Sequence, residues 1–156
     1  MCGIVGISSD GEVWQELLES LIHLQHRGQD AAGICTADEK FHTHKGKGLV
    51  REVFSNPDIK PLSGNLGIAH VRYPTHGSRS EDEIQPFWTS SSYGVSLAHN
   101  GTLVNYSALK QELNRSFYYH LNTDSDSELL LHLFANKLNQ SHDDDNKDFF
   151  TRLGEA

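Results

Sequence analysis

Nearly every strand-like run in this 156-residue chain precedes residue 100, and helical periodicity takes over after it. Residues 2–8 (Cys-Gly-Ile-Val-Gly-Ile-Ser) read as a short buried strand closed by the Asp10-Gly11 turn signal. Trp14, Leu17, Leu18, Leu21, Ile22 and Leu24 then recur at helical spacing across residues 13–26, and Gly28 ends that helix. Residues 31–36 and 41–45 suit a hairpin, and residues 50–54 a helical turn stopped before Pro57. Residues 66–72 and 93–99 look like two central strands, joined by a long polar connection over 73–92. Helices are expected over 106–113 and 126–138, the second opened by a capping box at Ser125-x-x-Glu128. An acidic break over 140–147 precedes a last apolar stretch, 149–153. Antiparallel hairpins with interspersed helices define an α+β chain with helices packed on sheet faces. With few strands after residue 100, a symmetric two-sheet core is incomplete in this chain.

Composition narrows the function. A net charge of -8 argues against a nucleic-acid partner, since phosphate binding needs clustered Lys and Arg. No apolar run approaches a membrane span, and the N-terminus lacks the regions of a signal peptide. Cys2 and Cys35 are the only cysteines, which suits a reducing, cytoplasmic setting better than a disulfide scaffold.

Cys2 follows the initiator Met1. Removal of Met1 would leave a thiol and a free α-amine on one residue. A thiol needs a base to become a strong nucleophile, and an N-terminal amine can be that base. An α-amine titrates at about 7.7–8.0, so a useful fraction is neutral in a cell. Four polar clusters end or begin the expected elements: His26-Arg-Gly-Gln-Asp30, His70-Val-Arg-Tyr-Pro-Thr-His-Gly77, His99-Asn-Gly101 and Asn122-Thr-Asp-Ser-Asp-Ser-Glu128. Together they offer a carboxylate receptor, oxyanion donors and an amine receptor. Read alone, Asn100-Gly101 is a type I′ turn, Arg72 a surface ion-pair partner and Asp126 a first-turn helix charge. His42-x-His44 lacks the further ligands that a metal site needs.

The opening Met-Cys-Gly-Ile-Val-Gly-Ile, Leu24-Gln-His-Arg-Gly-Gln-Asp-Ala-Ala-Gly-Ile34, His70-Val-Arg-Tyr-Pro-Thr75, Gln85-Pro-Phe87, Leu97-Ala-His-Asn-Gly101 and Asn122 to Glu128 stand in one order. This ordered set resembles the N-terminal glutaminase domain of the amidophosphoribosyltransferase family. These are class II glutamine amidotransferases of the N-terminal-nucleophile hydrolase group. The resemblance runs over essentially all of residues 1–156 and implies a four-layer αββα sandwich of antiparallel sheets, incomplete here.

The resemblance further implies glutamine as substrate. Cys2 would attack its side-chain amide, with Asn100 and Gly101 holding the oxyanion. Arg72 would grip the α-carboxylate and Asp126 the α-ammonium, while Tyr73, Thr75, Gly77 and Arg27 complete substrate binding. On its own composition, the polar, Gly- and Ser-containing segment over residues 73–84, starting beside Arg72, would form a lid over bound glutamine. In longer relatives the ammonia feeds a C-terminal phosphoribosyltransferase domain, where it converts phosphoribosyl pyrophosphate to 5-phosphoribosylamine for purine synthesis. That domain is not recognisable in residues 1–156, so the chain reads as a fragment. Magnesium is expected only with that domain, no cofactor with this chain, and a homo-oligomer for the whole. His76 departs toward the glucosamine-6-phosphate synthase pattern, the nearest rival within the class. A truncated, idle module that binds glutamine or a partner is the rival outside it.

Overall fold

The computed structural model describes residues 1–73, 80–91, 93–117, 120–140 and 149–155. The elements run β1 (Gly3–Ser8), α1 (Trp14–Leu24), β2 (Ala31–Ala37), β3 (Phe41–Lys47), α2 (Val50–Val53) and β4 (Leu66–Arg72). They continue with β5 (Phe87–Thr89), β6 (Val95–Leu97), α3 (Tyr106–Phe117), α4 (Asp126–Gln140) and α5 (Phe149–Glu155). Short 3₁₀ turns lie at Gln25–Arg27 and Glu81–Glu83. The fold is α+β, as the sequence indicates.

The chain divides into two compact units, Met1–Phe87 with Leu97–Gly101, and Trp88–Ser96 with Thr102–Ala156. The first is built on a four-stranded antiparallel sheet in the order β1-β4-β2-β3. Strand side chains alternate between faces. Ala32 and Ile34 of β2 and Ala69 and Val71 of β4 pack with Val13, Leu17 and Leu21 of the α1 segment and with Val50 and Val53 of α2. Truncating a buried leucine such as Leu17 or Leu21 would cost about 2–5 kcal/mol. Gly3 and Gly67 lie on this face, where a Cβ would meet Val71 and Leu17 respectively.

The intervening residues turn the other way, and these include His70 and Arg72 of β4 and Ala31 and Gly33 of β2. Residues 84–87 cover part of this second face. Lys45, opposite Gly33 in the ladder, donates to the Ile84 carbonyl at 2.6 Å, and Ile84 and Phe87 are buried.

Two expectations change. Residues 93–99 are not a second central strand. Only Val95–Leu97 is extended, and it pairs with β5 in a separate two-stranded sheet. Gly94, at φ 65°, is left-handed and starts that strand late. Correspondingly, the polar connection over 73–92 contains β5, whose Phe87 and Trp88 carry the aromatic preference of a strand. The last apolar stretch is helical.

In the second unit, Ser125 caps α4 by accepting the Ser127 N–H on Oγ at 3.3 Å. The expected capping box is only half formed. Glu128 does not return to the Ser125 amide, which bonds Thr123 Oγ1 instead. The Glu128 carboxylate reaches further back. It accepts from the Asn122 N–H at 3.0 Å, Asn122 Nδ2 at 3.2 Å, the Thr123 N–H at 2.8 Å and Thr123 Oγ1 at 2.6 Å.

Candidate functional site

Cys2 stands immediately before β1, and both cysteines are free thiols. Its Sγ accepts the Tyr73 backbone N–H at 3.4 Å, where the chain leaves β4. Its carbonyl oxygen accepts two side chains, Arg27 Nε at 3.2 Å and Asn100 Nδ2 at 3.3 Å. Three elements distant in sequence therefore converge on one residue. The 3₁₀ turn ending in Arg27 supplies one donor, the end of β4 a second, and the turn after β6 a third.

Arg27 is placed by the turn itself. The Gly28 N–H donates to the Gln25 carbonyl at 3.2 Å, and Gln25 Nε2 returns to the Gly28 carbonyl at 2.5 Å. Gly28 then lies directly on the end of β4. A Cβ there would be 2.6 Å from the Arg72 carbonyl carbon, a distance real side chains do not reach. The residue following Arg27 must lack a side chain for the turn to sit this close.

Arg72 is 7% exposed. Its Nε donates to Asp30 Oδ2 at 2.6 Å, its Nη1 to the Ser80 carbonyl at 3.3 Å, and its own carbonyl accepts the Asp30 N–H at 3.1 Å. The pair is more than the surface contact that Arg72 suggests when read alone. Nη2 is buried and has no hydrogen-bond partner among the described residues. A buried guanidinium nitrogen without an acceptor is costly, and a ligand carboxylate would satisfy it.

His70 lies two residues earlier on the same strand face, fully buried, with neither ring nitrogen hydrogen-bonded among the described residues. Burial lowers its pKa to about 4, and the charges of Arg72 and His99 push the same way, so the ring is neutral at pH 7.

The Asn100-Gly101 turn is not type I′. That turn needs positive φ at both central residues, and the left-handed glycines among the described residues are Gly48, Gly64 and Gly94. Gly101 instead sits against the His99 ring, where a Cβ would be 2.6 Å from Nε2.

Cys2, Arg27, Arg72, Tyr73, Asn100 and Gly101 thus all lie in the first unit. Asp126 lies in the second, as the first residue of α4. There its Oδ2 accepts the Leu103 N–H at 3.0 Å and its Oδ1 the Ser127 hydroxyl at 3.4 Å. Thr75 and Gly77 fall outside the described residues, as do His76 and the rest of residues 74–79, half of the expected lid. Asp30 and Gln85, which the sequence marks only as motif members, emerge with definite contacts. The signal for Asp30 was its place one turn after Arg27. For Gln85 it was a polar residue between apolar Ile84 and Phe87. His42 and His44 have separate uses, with Asp38 and with the Val53 carbonyl, and no metal-holding group of three or more ligands occurs among the described residues.

The Cys2 thiol thus accepts one backbone N–H, from the residue that follows the buried Arg72, while the Cys2 carbonyl takes Arg27 and Asn100. The family described as a glutamine amidotransferase domain matches residues 70–153, and this chain belongs to that family. Its relatives include the amidophosphoribosyltransferases of Pasteurella multocida, 54% identical over 140 residues, and Escherichia coli, 51% identical over 140 residues. Each match covers 88% of this chain, which spans about 28% of the length of those proteins. The glutamine phosphoribosylpyrophosphate amidotransferase from B. subtilis, solved with ADP and GMP, has a similar structure. Its TM-score is 0.77 at 35% identity, covering 98% of this chain and 31% of that one. The amidophosphoribosyltransferase resemblance therefore holds over the glucosamine-6-phosphate synthase alternative.

Proposed function

We propose that this chain hydrolyses glutamine to glutamate and ammonia through a thioester on Cys2. The observation that carries the reading is the convergence of the Tyr73 N–H and Asn100 Nδ2 on Cys2, at 3.4 and 3.3 Å. Once Met1 is removed, the Cys2 α-amine takes the thiol proton as sulfur attacks the side-chain amide carbon. Asn100 Nδ2 and the Gly101 N–H hold the resulting oxyanion. The amine returns its proton to the departing nitrogen, which leaves as ammonia. Water then attacks the thioester, releasing glutamate and restoring the thiol.

Arg72 takes the substrate α-carboxylate through Nη2, since Nε is already committed to Asp30. Asp126 takes the α-ammonium. Tyr73, Thr75 and Gly77 complete the substrate contacts, and Arg27 holds the nucleophile's backbone. Reading both ends of the zwitterion rejects simple amides, because a buried charge left unpaired is expensive.

For the whole protein, we propose the activity of its relatives. The ammonia passes to a phosphoribosyltransferase domain and displaces pyrophosphate from phosphoribosyl pyrophosphate, giving 5-phosphoribosylamine for purine synthesis. Magnesium belongs to that second reaction and homo-oligomerisation to the whole protein. No helix among the described residues is long and apolar enough to cross a membrane, and a cytoplasmic location accords with the free thiols.

Met1 is 76% exposed, open to an aminopeptidase. An unremovable extension ahead of Cys2 should abolish glutaminase activity while the melting temperature stays unchanged. Full activity in the extended protein would eliminate the N-terminal mechanism.

A further inference from the structure

We propose that Gln85 is a positioning residue for the oxyanion turn at residues 99–101, which it holds through the backbone of His99. The proposal rests on the role given above to Asn100 and Gly101. Gln85 is 9% exposed, and its Oε1 accepts the His99 N–H at 2.6 Å. Asn100 is the next residue, and its Nδ2 lies 3.3 Å from the Cys2 carbonyl oxygen. The amide that Gln85 fixes is therefore one residue from the proposed oxyanion donors.

Gln85 can act as an anchor only if it is itself fixed, and the sheet does this from two strands. Lys45 of β3 donates to the Ile84 carbonyl at 2.6 Å and reaches the Pro86 carbonyl at 3.5 Å, bracketing Gln85. Its ammonium also lies 5.2 Å from the centre of the Phe87 ring. On β2, Gly33 lets the Gln85 carbonyl rest on the strand backbone, since a Cβ at Gly33 would collide with that oxygen. Ile84 and Phe87 on either side are buried. A continuous line of contacts runs from β2 and β3 through Gln85 to His99, Asn100 and Cys2. Oxyanion donors stabilise a transition state only when held in place before the charge develops.

The experiment compares three variants of the full-length protein. Gln85→Met keeps the side-chain length and removes the acceptor. It should lower kcat by about 10- to 100-fold, the scale of a small misplacement of catalytic groups. The glutamine KM and the rate of Cys2 alkylation by iodoacetamide should stay within about twofold of wild type, because neither needs the oxyanion donors. Gln85→Glu retains an acceptor oxygen and should recover most of the lost kcat. Asn100→Ala sets the reference, and Gln85→Met should add little in its background.

Wild-type kcat in Gln85→Met, with Asn100→Ala impaired, would remove Gln85 from this role and leave the oxyanion reading intact. Parallel losses in kcat, KM and alkylation would mark Gln85 as merely structural and overturn the proposal. Wild-type kcat in Asn100→Ala would overturn the oxyanion reading and this proposal with it. Should Gln85→Met fail to fold, Lys45→Met loosens the same clamp without touching the turn. A several-fold kcat loss at constant KM is then expected, and an unchanged kcat would overturn the proposal.

Discussion

Arg72 and Asp126 illustrate two ways of holding a charged side chain in place. Arg72 ends a strand of the first unit, is 7% exposed, and is oriented by an ion pair of 2.6 Å with Asp30. Beneath it, the opposite sheet face is closed by an apolar cluster with α1 and α2. Asp126 instead begins a helix of the second unit, and the segment leading to it is fixed by polar contacts. Glu128, 4% exposed, gathers four hydrogen bonds from Asn122 and Thr123, and Ser125 caps the helix. The first arrangement depends on burial and one strong ion pair. The second distributes its strength over several modest bonds, so single losses should cost less.

That contrast sets an order of expected effects. Arg72→Ala should be the most severe. It removes the proposed carboxylate receptor and leaves Asp30 unpaired, so the glutamine KM should rise by about 100-fold and stability should fall by about 3 kcal/mol. Steady-state kinetics with chemical denaturation would measure both, and unchanged values would equalise the two regions. Asp126→Asn should raise KM by about 10-fold with little loss of stability. An analogue lacking the α-ammonium should show no such penalty, and a penalty of equal size on that analogue would remove Asp126 from amine recognition.

Two further effects separate the regions by pH. Burial, the largest influence, and the nearby charges of Arg72 and His99 hold the His70 pKa at about 4, against the ordinary value of 6.5. Between these values the unfolded chain binds a proton that the folded chain does not. Stability from this group is full above pH 6.5 and declines as pH falls toward 4, by about 3 kcal/mol in all. Urea unfolding between pH 7 and 4.5 should show this decline, and His70→Leu should flatten it. For Glu128, burial alone would raise the carboxyl, but the hydrogen bonds from Thr123 and Asn122 outweigh it and lower the pKa. Its stabilisation persists above the ordinary carboxyl value of 4.5 and is lost only as pH falls through the depressed one. Glu128→Gln should cost about 2 kcal/mol at pH 7. A pH profile for His70→Leu that parallels wild type would show that the acid sensitivity arises elsewhere.

The sheet and α1 were legible in the sequence because their apolar residues repeat at strand and helix periods, and the faces those periods define are the faces observed. Cys2 and the motif residues that meet it, Arg27, Tyr73 and Asn100, were legible because short, ordered strings mark strand and helix ends. Residues 93–99 misled because an alternating apolar run of that length fits a central or a marginal strand equally, and a left-handed Gly94 decides between them. Glu128 showed its spacing but not its reach, since a capping box and a longer backward clamp share one pattern. Gln85 showed only as a polar residue in an apolar stretch, which does not reveal its contacts. Its importance comes from a carbonyl resting on Gly33 and an amide 14 residues away, and neither contact has a local sequence period.

Gly28 has a consequence for how the two arginines are spaced. Its backbone bears directly on that of Arg72, so the interval between Arg27 and Arg72 is set by hard contact between main chains and not by side-chain torsions. It works as a ruler. Exchanging either arginine for another residue alters what is presented at each end while the ruler keeps its length. Adding one methyl group at position 28 changes the length itself, and moves both ends while every functional side chain is still present.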